Sequence, residues 1–143
     1  SVTTSLLDLD KQICHALYSA SNAMVRAYRP MLEPLGLTYP QYVTMMSLWQ
    51  HNNVSIKQLS LHTRLDSGTL TPLLKRLEAK GLLLRKHSLE DERQKVISLT
   101  KSGQQLKKQA SKVPEQLLVK TSMQEKEALK LKQLCEQLLE DCT

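Results

Sequence analysis

The chain has 143 residues and a net charge of +6, a length that suits one domain burying about two thirds of its unfolded surface. No apolar run approaches the ~20 residues of a membrane helix, and no charged-then-apolar leader precedes a cleavage site, so a cytoplasmic location is expected. Three cysteines in such a setting do not suggest structural disulfides.

In chain order, Ser5-Leu-Leu-Asp8 is capping-box-like and predicts a long helix that reaches Arg29, where Pro30, Pro34 and Gly36 break the pattern. Thr38 to Trp49 reads as a second helix. Ser55 can cap a short helix through His62 with Ile56, Leu59 and Leu61 turned to a core. Asp66 and Ser67 can cap the next, from Gly68 to Lys80, which stops at Gly81. Leu82–His87 and Lys95–Thr100 read as two strands joined by six or seven polar residues. Ser102 to about Lys120, kinked at Pro114, and Ser122 to Asp141, opening with the box Ser122-Met-Gln-Glu125, complete the helices. No repeat, low-complexity tract or Gly/Ser linker interrupts them.

The middle of this order, helix, turn, helix and charged hairpin, is a winged helix-turn-helix. At about 100° per residue, Leu70, Leu73, Leu74 and Leu77 form one stripe of the second helix. Ser67, Gly68, Thr69, Thr71, Pro72, Lys75 and Arg76 lie at its capped start or on its outer side, where small residues admit the major groove and long cations reach bases or phosphates. At the hairpin tip, Arg93 suits a minor groove, with Asp91 orienting its guanidinium. Residues 55–101 hold ten Lys or Arg against five Asp or Glu, so +5 of the +6 sits there. Clustered positive charge on folded elements is the footprint of phosphate binding. The plainer alternative is a solvated hairpin on an unrelated helical domain.

Gly68, Leu73-Leu74, Arg76-Leu77, Gly81-Leu82, Asp91-Glu92-Arg93 and Leu99-Thr100 followed by Gly103 resemble the MarR family of bacterial winged-helix regulators. The resemblance implies a mainly α fold with a small β-hairpin wing: one domain over 1–143, with a winged helix-turn-helix lobe at about 38–101 and dimerisation helices at about 5–35 and 102–143. It also implies a homodimer on double-stranded DNA with a palindromic operator.

The signal is sought at the N-terminal side. All five aromatics, Tyr18, Tyr28, Tyr39, Tyr42 and Trp49, fall within 32 residues, and phenylalanine is absent. Cys14 shares a helical face with Leu17, Tyr18, Ser21 and Met24. Such a cysteine is more often a buried small hydrophobe than a reactive thiol. Phenolic donors, or a cation such as Arg26 or Arg29, would favour the reactive thiolate. Tyr28 lies fourteen residues on, about 21 Å along a continuous helix, so a Cys14–Tyr28 contact requires two chains.

Cys14-His-Ala-Leu-Tyr18-Ser-Ala-Ser, Ala27-Tyr-Arg-Pro30 and Leu32-Glu-Pro-Leu-Gly-Leu-Thr-Tyr-Pro-Gln-Tyr42 resemble the OhrR branch, repressors that sense organic hydroperoxides. The resemblance implies that Cys14 is the peroxide-reactive residue and that Tyr28 and Tyr39 reach it from the partner subunit; Tyr18 is the near-neighbour phenol. The expected product is a sulfenic acid. No second cysteine lies between Cys14 and Cys135, which favours capture by a low-molecular-weight thiol or a backbone nitrogen. Cys135 and Cys142 read as a packed residue and an exposed tail thiol, with Cys135 open as a resolver.

Four scattered histidines and no paired cysteines predict no metal, and no cofactor motif is present. Three functions therefore stand: a repressor released by Cys14 oxidation; a repressor released by a reversible phenolic or anionic ligand among Tyr18, Tyr28 and Tyr39; and a thiol peroxidase. The absence of Cys-x-x-Cys and the basic charge pattern weigh against the enzyme.

Overall fold

The computed structural model describes residues 6–143, so the expected cap at Ser5 lies outside the described residues. A 3-10 turn, Leu9–Lys11, precedes α1, Ile13–Leu32. Asp8 and Gln12 are extended (ψ 131° and 115°), and these two breaks start the helix at Ile13 rather than near Asp8. Its other end also departs from expectation, because Pro30 lies inside α1. Only Met31 and Leu32 follow it, so the lost hydrogen bond falls in the last turn while Leu32 is buried at 1% exposure.

A second 3-10 turn, Glu33–Leu35, ends at Gly36 in the left-handed region (φ 67°). Thr38 then opens α2, Tyr39–Gln50, with a capping box: its hydroxyl accepts from the Gln41 backbone N–H at 3.3 Å and its own N–H donates to Gln41 Oε1 at 3.1 Å. Strand β1, Val54–Ser55, was not foreseen. Ser55 caps α3, Ile56–Thr63, as expected, and Gln58 completes the box. Leu59 is fully buried, but Leu61 is 73% exposed, contrary to expectation, because it falls on the opposite side of so short a helix.

Helix α4, Ser67–Ala79, is followed by β2, Leu83–His87, and β3, Lys95–Leu99. The sheet order is β1-β3-β2, all antiparallel, with Val54 opposite Ile97 and Leu83 opposite Leu99. Leu70, Leu73, Leu74 and Leu77 are all buried, and with Met45, Leu48, Leu59, Leu83 and Ile97 they form one core. Helix α4 is therefore held by its inner stripe, and its other side is free for a partner. Helix α5, Lys101–Ala110, is pinned by Trp49 Nε1, which donates to the Gly103 carbonyl at 2.8 Å.

The chain forms two compact units, one to Val113 and one from Pro114. Helix α6, Val113–Lys120, starts at the last residue of the first unit and begins anew after a turn, so Pro114 stands in the first turn of a separate helix instead of kinking a long one. Helix α7 spans Glu125–Cys142. Its cap pairs Gln124 N–H with Glu127 Oε1 at 3.0 Å, not Ser122 with Glu125 as expected. Leu129, Leu131, Leu134 and Leu139 are exposed along it. Among the described residues no helix is long and apolar enough to cross a membrane.

Candidate nucleic-acid interface and thiol site

Asp66 positions the start of α4. Its Oδ1 accepts from the Thr69 backbone N–H at 2.7 Å, and hydrogen bonds from Thr69 hold its carboxyl below the usual range. Ser67, Gly68, Thr69, Pro72, Lys75 and Arg76 are exposed on this helix. Thr71 differs: it is partly buried, and its hydroxyl donates to the Ser67 carbonyl at 2.8 Å, a bond that competes with base contact.

At the wing, Ser88 N–H donates to Gln94 O at 2.8 Å and Gln94 N–H to Asp91 O at 3.0 Å, closing the loop on itself. Asp91 Oδ1 accepts from the Arg93 backbone N–H at 3.0 Å and lies 3.4 Å from Arg93 Nε. The Arg93 side chain is 92% exposed. An extended cation braced by one acid can enter a narrow groove with little loss of conformational freedom.

The thiol region has two separate parts. Cys14 is exposed near the start of α1, and Tyr18, one turn on, is 70% exposed. Tyr28 near the other end meets Tyr39 and Tyr42 of α2, with ring centroids 5.0 and 5.8 Å away. Along the unbroken α1 the two parts stand about 21 Å apart. The structure thus gathers Tyr28 and Tyr39, adds Tyr42, and leaves Tyr18 and Cys14 outside the cluster. Burial first, then the neighbouring phenols, push the Tyr28 hydroxyl up to about 12, so it stays a neutral donor. Tyr42 is raised for the same leading reason. Tyr42 was missed as a site residue, although Tyr39 and Tyr42 share one helix face at i, i+3.

A cavity of about 300 Å³ lies beside this cluster, walled by Val25, Arg29, Leu32, Glu33, Tyr39 and Pro40, so that a cation and an acid share its lining. Tyr18 and Tyr28 do not line it, so the expected ligand pocket survives only through Tyr39. A second cavity, about 350 Å³, holds His51 and His62, whose rings are 4.5 Å apart. Spacing alone had left these two histidines scattered. Cys135 is exposed as well as Cys142, against the expectation of a packed residue.

Residues 26–110 match the family of transcriptional regulators described as SarA/Rot. The chain belongs to this family. The SarA/Rot match covers α2 to α5 and the wing, and the family comprises transcriptional regulators rather than enzymes. An organic hydroperoxide resistance transcriptional regulator of Bacillus subtilis is 42% identical over 134 residues, covering 94% of this chain and 91% of that one. Reduced AbfR, solved bound to DNA, is 34% identical with a TM-score of 0.79, covering 94% of this chain and 92% of the other. MarR itself, at 22% identity, 92% and 98% coverage and a TM-score of 0.72, shares the fold. The MarR-type winged-helix reading, with its likeness to the organic-hydroperoxide branch, therefore holds.

Proposed function

We propose that this DNA-binding regulator is a homodimeric repressor that senses organic hydroperoxides through Cys14 and then releases a palindromic operator. The observation that carries the reading is the division of the thiol region: an exposed Cys14 at one end of α1 and a Tyr28–Tyr39 pair, 5.0 Å apart, at the other. Neither part can reach the other along one straight helix, so two antiparallel copies of α1 would supply a complete site twice. The apolar residues exposed on α7, Leu129, Leu134 and Leu139, suit a dimerisation surface, and the relative named for hydroperoxide resistance supports the signal.

In the proposed reaction the Cys14 thiolate attacks a peroxide oxygen. The S–O bond forms as the O–O bond breaks, the sulfur loses two electrons, and the leaving alkoxide takes a proton to become an alcohol. Tyr28 and Tyr39 of the partner subunit donate hydrogen bonds that favour the thiolate. A low-molecular-weight thiol then condenses with the sulfenic acid, releasing water and leaving a mixed disulfide. On DNA, Ser67, Gly68, Thr69, Pro72, Lys75 and Arg76 face the major groove, with Thr71 at the margin of that surface because its hydroxyl is held by Ser67 O, while Arg93, braced by Asp91, enters the minor groove. A reversible organic anion is the second reading; Arg29 in the cavity wall favours it, and Glu33 in the same wall opposes it.

Fluorescence anisotropy on promoter DNA, before and after one equivalent of organic hydroperoxide, tests the reading with Cys14→Ser alongside. Release of the unsubstituted protein but not the variant supports a Cys14 switch. Retention by both contradicts it and moves the case to the reversible ligand.

A further inference from the structure

We infer that Lys80 couples the tyrosine cluster to the recognition helix, so that a displacement at the sensing end carries α4 with it; this rests on the hydroperoxide-sensing reading. Lys80 is the C-cap of α4, and its backbone N–H bonds Arg76 O and Glu78 O, so its main chain moves with that helix. Its ammonium turns back to regions about forty residues earlier. Nζ donates to the Gly36 carbonyl and, at 3.1 Å, to Gln41 Oε1.

Both acceptors belong to the sensing end. Gly36 closes the turn after α1, which carries Tyr28, and Gln41 stands between Tyr39 and Tyr42 in α2. The Gln41 side chain is buried, at 4% exposure for the residue, and its Oε1 also accepts from Thr38 N–H. One amide oxygen thus serves the cap of α2 and the end of α4 together. A shift of the first turn of α2 against α1 is taken up by the exposed Lys80 side chain, by loss of its bonds, or by movement of α4 with it. Hydrogen bonds from a charged donor resist the loss more than neutral ones do. Two further ties near this end of α4, Arg85 to Glu78 and the Thr100 hydroxyl to the Gly81 carbonyl, lead to the hairpin and to the start of α5 and not to the tyrosines.

Coupling of this kind is a difference in DNA affinity between the reduced and oxidised states. The experiment compares the full-length protein with Lys80→Met and Lys80→Arg, each reduced or treated with one equivalent of cumene hydroperoxide. It reads the DNA dissociation constant in both states and the rate of Cys14 sulfenate trapping. The expected result for Lys80→Met is oxidation at the unsubstituted rate with an oxidised-to-reduced ratio at least about fivefold smaller; Lys80→Arg, which keeps a cationic donor, restores the ratio. An unchanged ratio overturns the coupling. So does an equal loss in both states, which marks Lys80 as a phosphate contact only. If the unsubstituted protein itself keeps its DNA after Cys14 is oxidised, the sensing reading fails and the coupling falls with it; a normal ratio there beside a normal ratio in Lys80→Met sinks the coupling alone.

Discussion

Glu78, in the last turn of α4, takes three hydrogen bonds from Arg85 on β2: the backbone N–H at 3.1 Å, Nε at 3.3 Å and Nη2 at 2.9 Å. Helix α4 and strand β2 are tied at one carboxylate, so the helix and the hairpin hold a set angle. Those bonds keep the Glu78 carboxyl below its usual 4.5. A depressed folded value means that the contribution is present above the ordinary carboxylate range and lost as pH falls through the folded value. Thermal unfolding followed from pH 6 down to about 3 should show the unsubstituted protein losing its advantage over Glu78→Gln. A constant gap across that window contradicts an ionised clamp.

Arg93 offers a cleaner test of DNA reading. Because its guanidinium is exposed and braced by Asp91, Arg93→Ala should weaken binding most on operators with A/T-rich flanks, where the minor groove is narrow and its potential most negative. The expected difference between A/T-rich and G/C-rich flanks is about tenfold, at the lower end of what a specific contact provides. Equal losses on both duplexes would reduce Arg93 to a general phosphate contact.

Burial and its neighbours Tyr39 and Tyr42 push the Tyr28 hydroxyl up to about 12. Absorbance near 295 nm should show a late step that Tyr28→Phe removes. A folded value raised above the unfolded one gives stability that is complete below pH 10 and lost as pH rises toward 12. The same substitution should slow sulfenate formation at Cys14 while leaving reduced-state DNA affinity within about twofold. An unchanged oxidation rate would remove Tyr28 from the site.

Much of the DNA-binding lobe is legible from local chemistry. Ser55 and Asp66 as caps, Gly81 as a stop with φ 77° and the Leu70–Leu77 stripe each act within a few residues of where they sit. What escapes is long-range. β1 has two residues and exists because Val54 meets Ile97 across the sheet. Tyr42 joins Tyr28 only once α1 and α2 pack, and Lys80 reaches Gln41 across 39 residues. Pro30 misleads for the opposite reason: the local cost is real, but burial of Leu32 outweighs it. For the candidate thiol site, local spacing shows only that Cys14 and Tyr28 lie too far apart on α1 to meet, and Tyr39 joins Tyr28 from α2; the resemblance, not the spacing, united them.

Gly103 tests how tightly α5 must approach the lobe. It is buried, its carbonyl accepts from Trp49 Nε1, and a Cβ built there collides with the Leu82 carbonyl oxygen and comes within 3.3 Å of Leu99 Cδ2. Leu82 O is already engaged by Thr100 N–H at 3.1 Å and belongs to the turn between α4 and β2, so it cannot yield as a flexible side chain would. Gly103→Ala must therefore push α5 away, loosening the Trp49 bond and the end of the β2–β3 pairing together. Overpacking against backbone should cost about 2–3 kcal/mol, or a fall in Tm of roughly 6–12 °C for a chain of this size. Trp49→Phe, which removes the donor but fills most of the space, should cost about 1 kcal/mol. A Tm for Gly103→Ala within about a degree of the unsubstituted protein would mean that α5 docks more loosely than this contact requires.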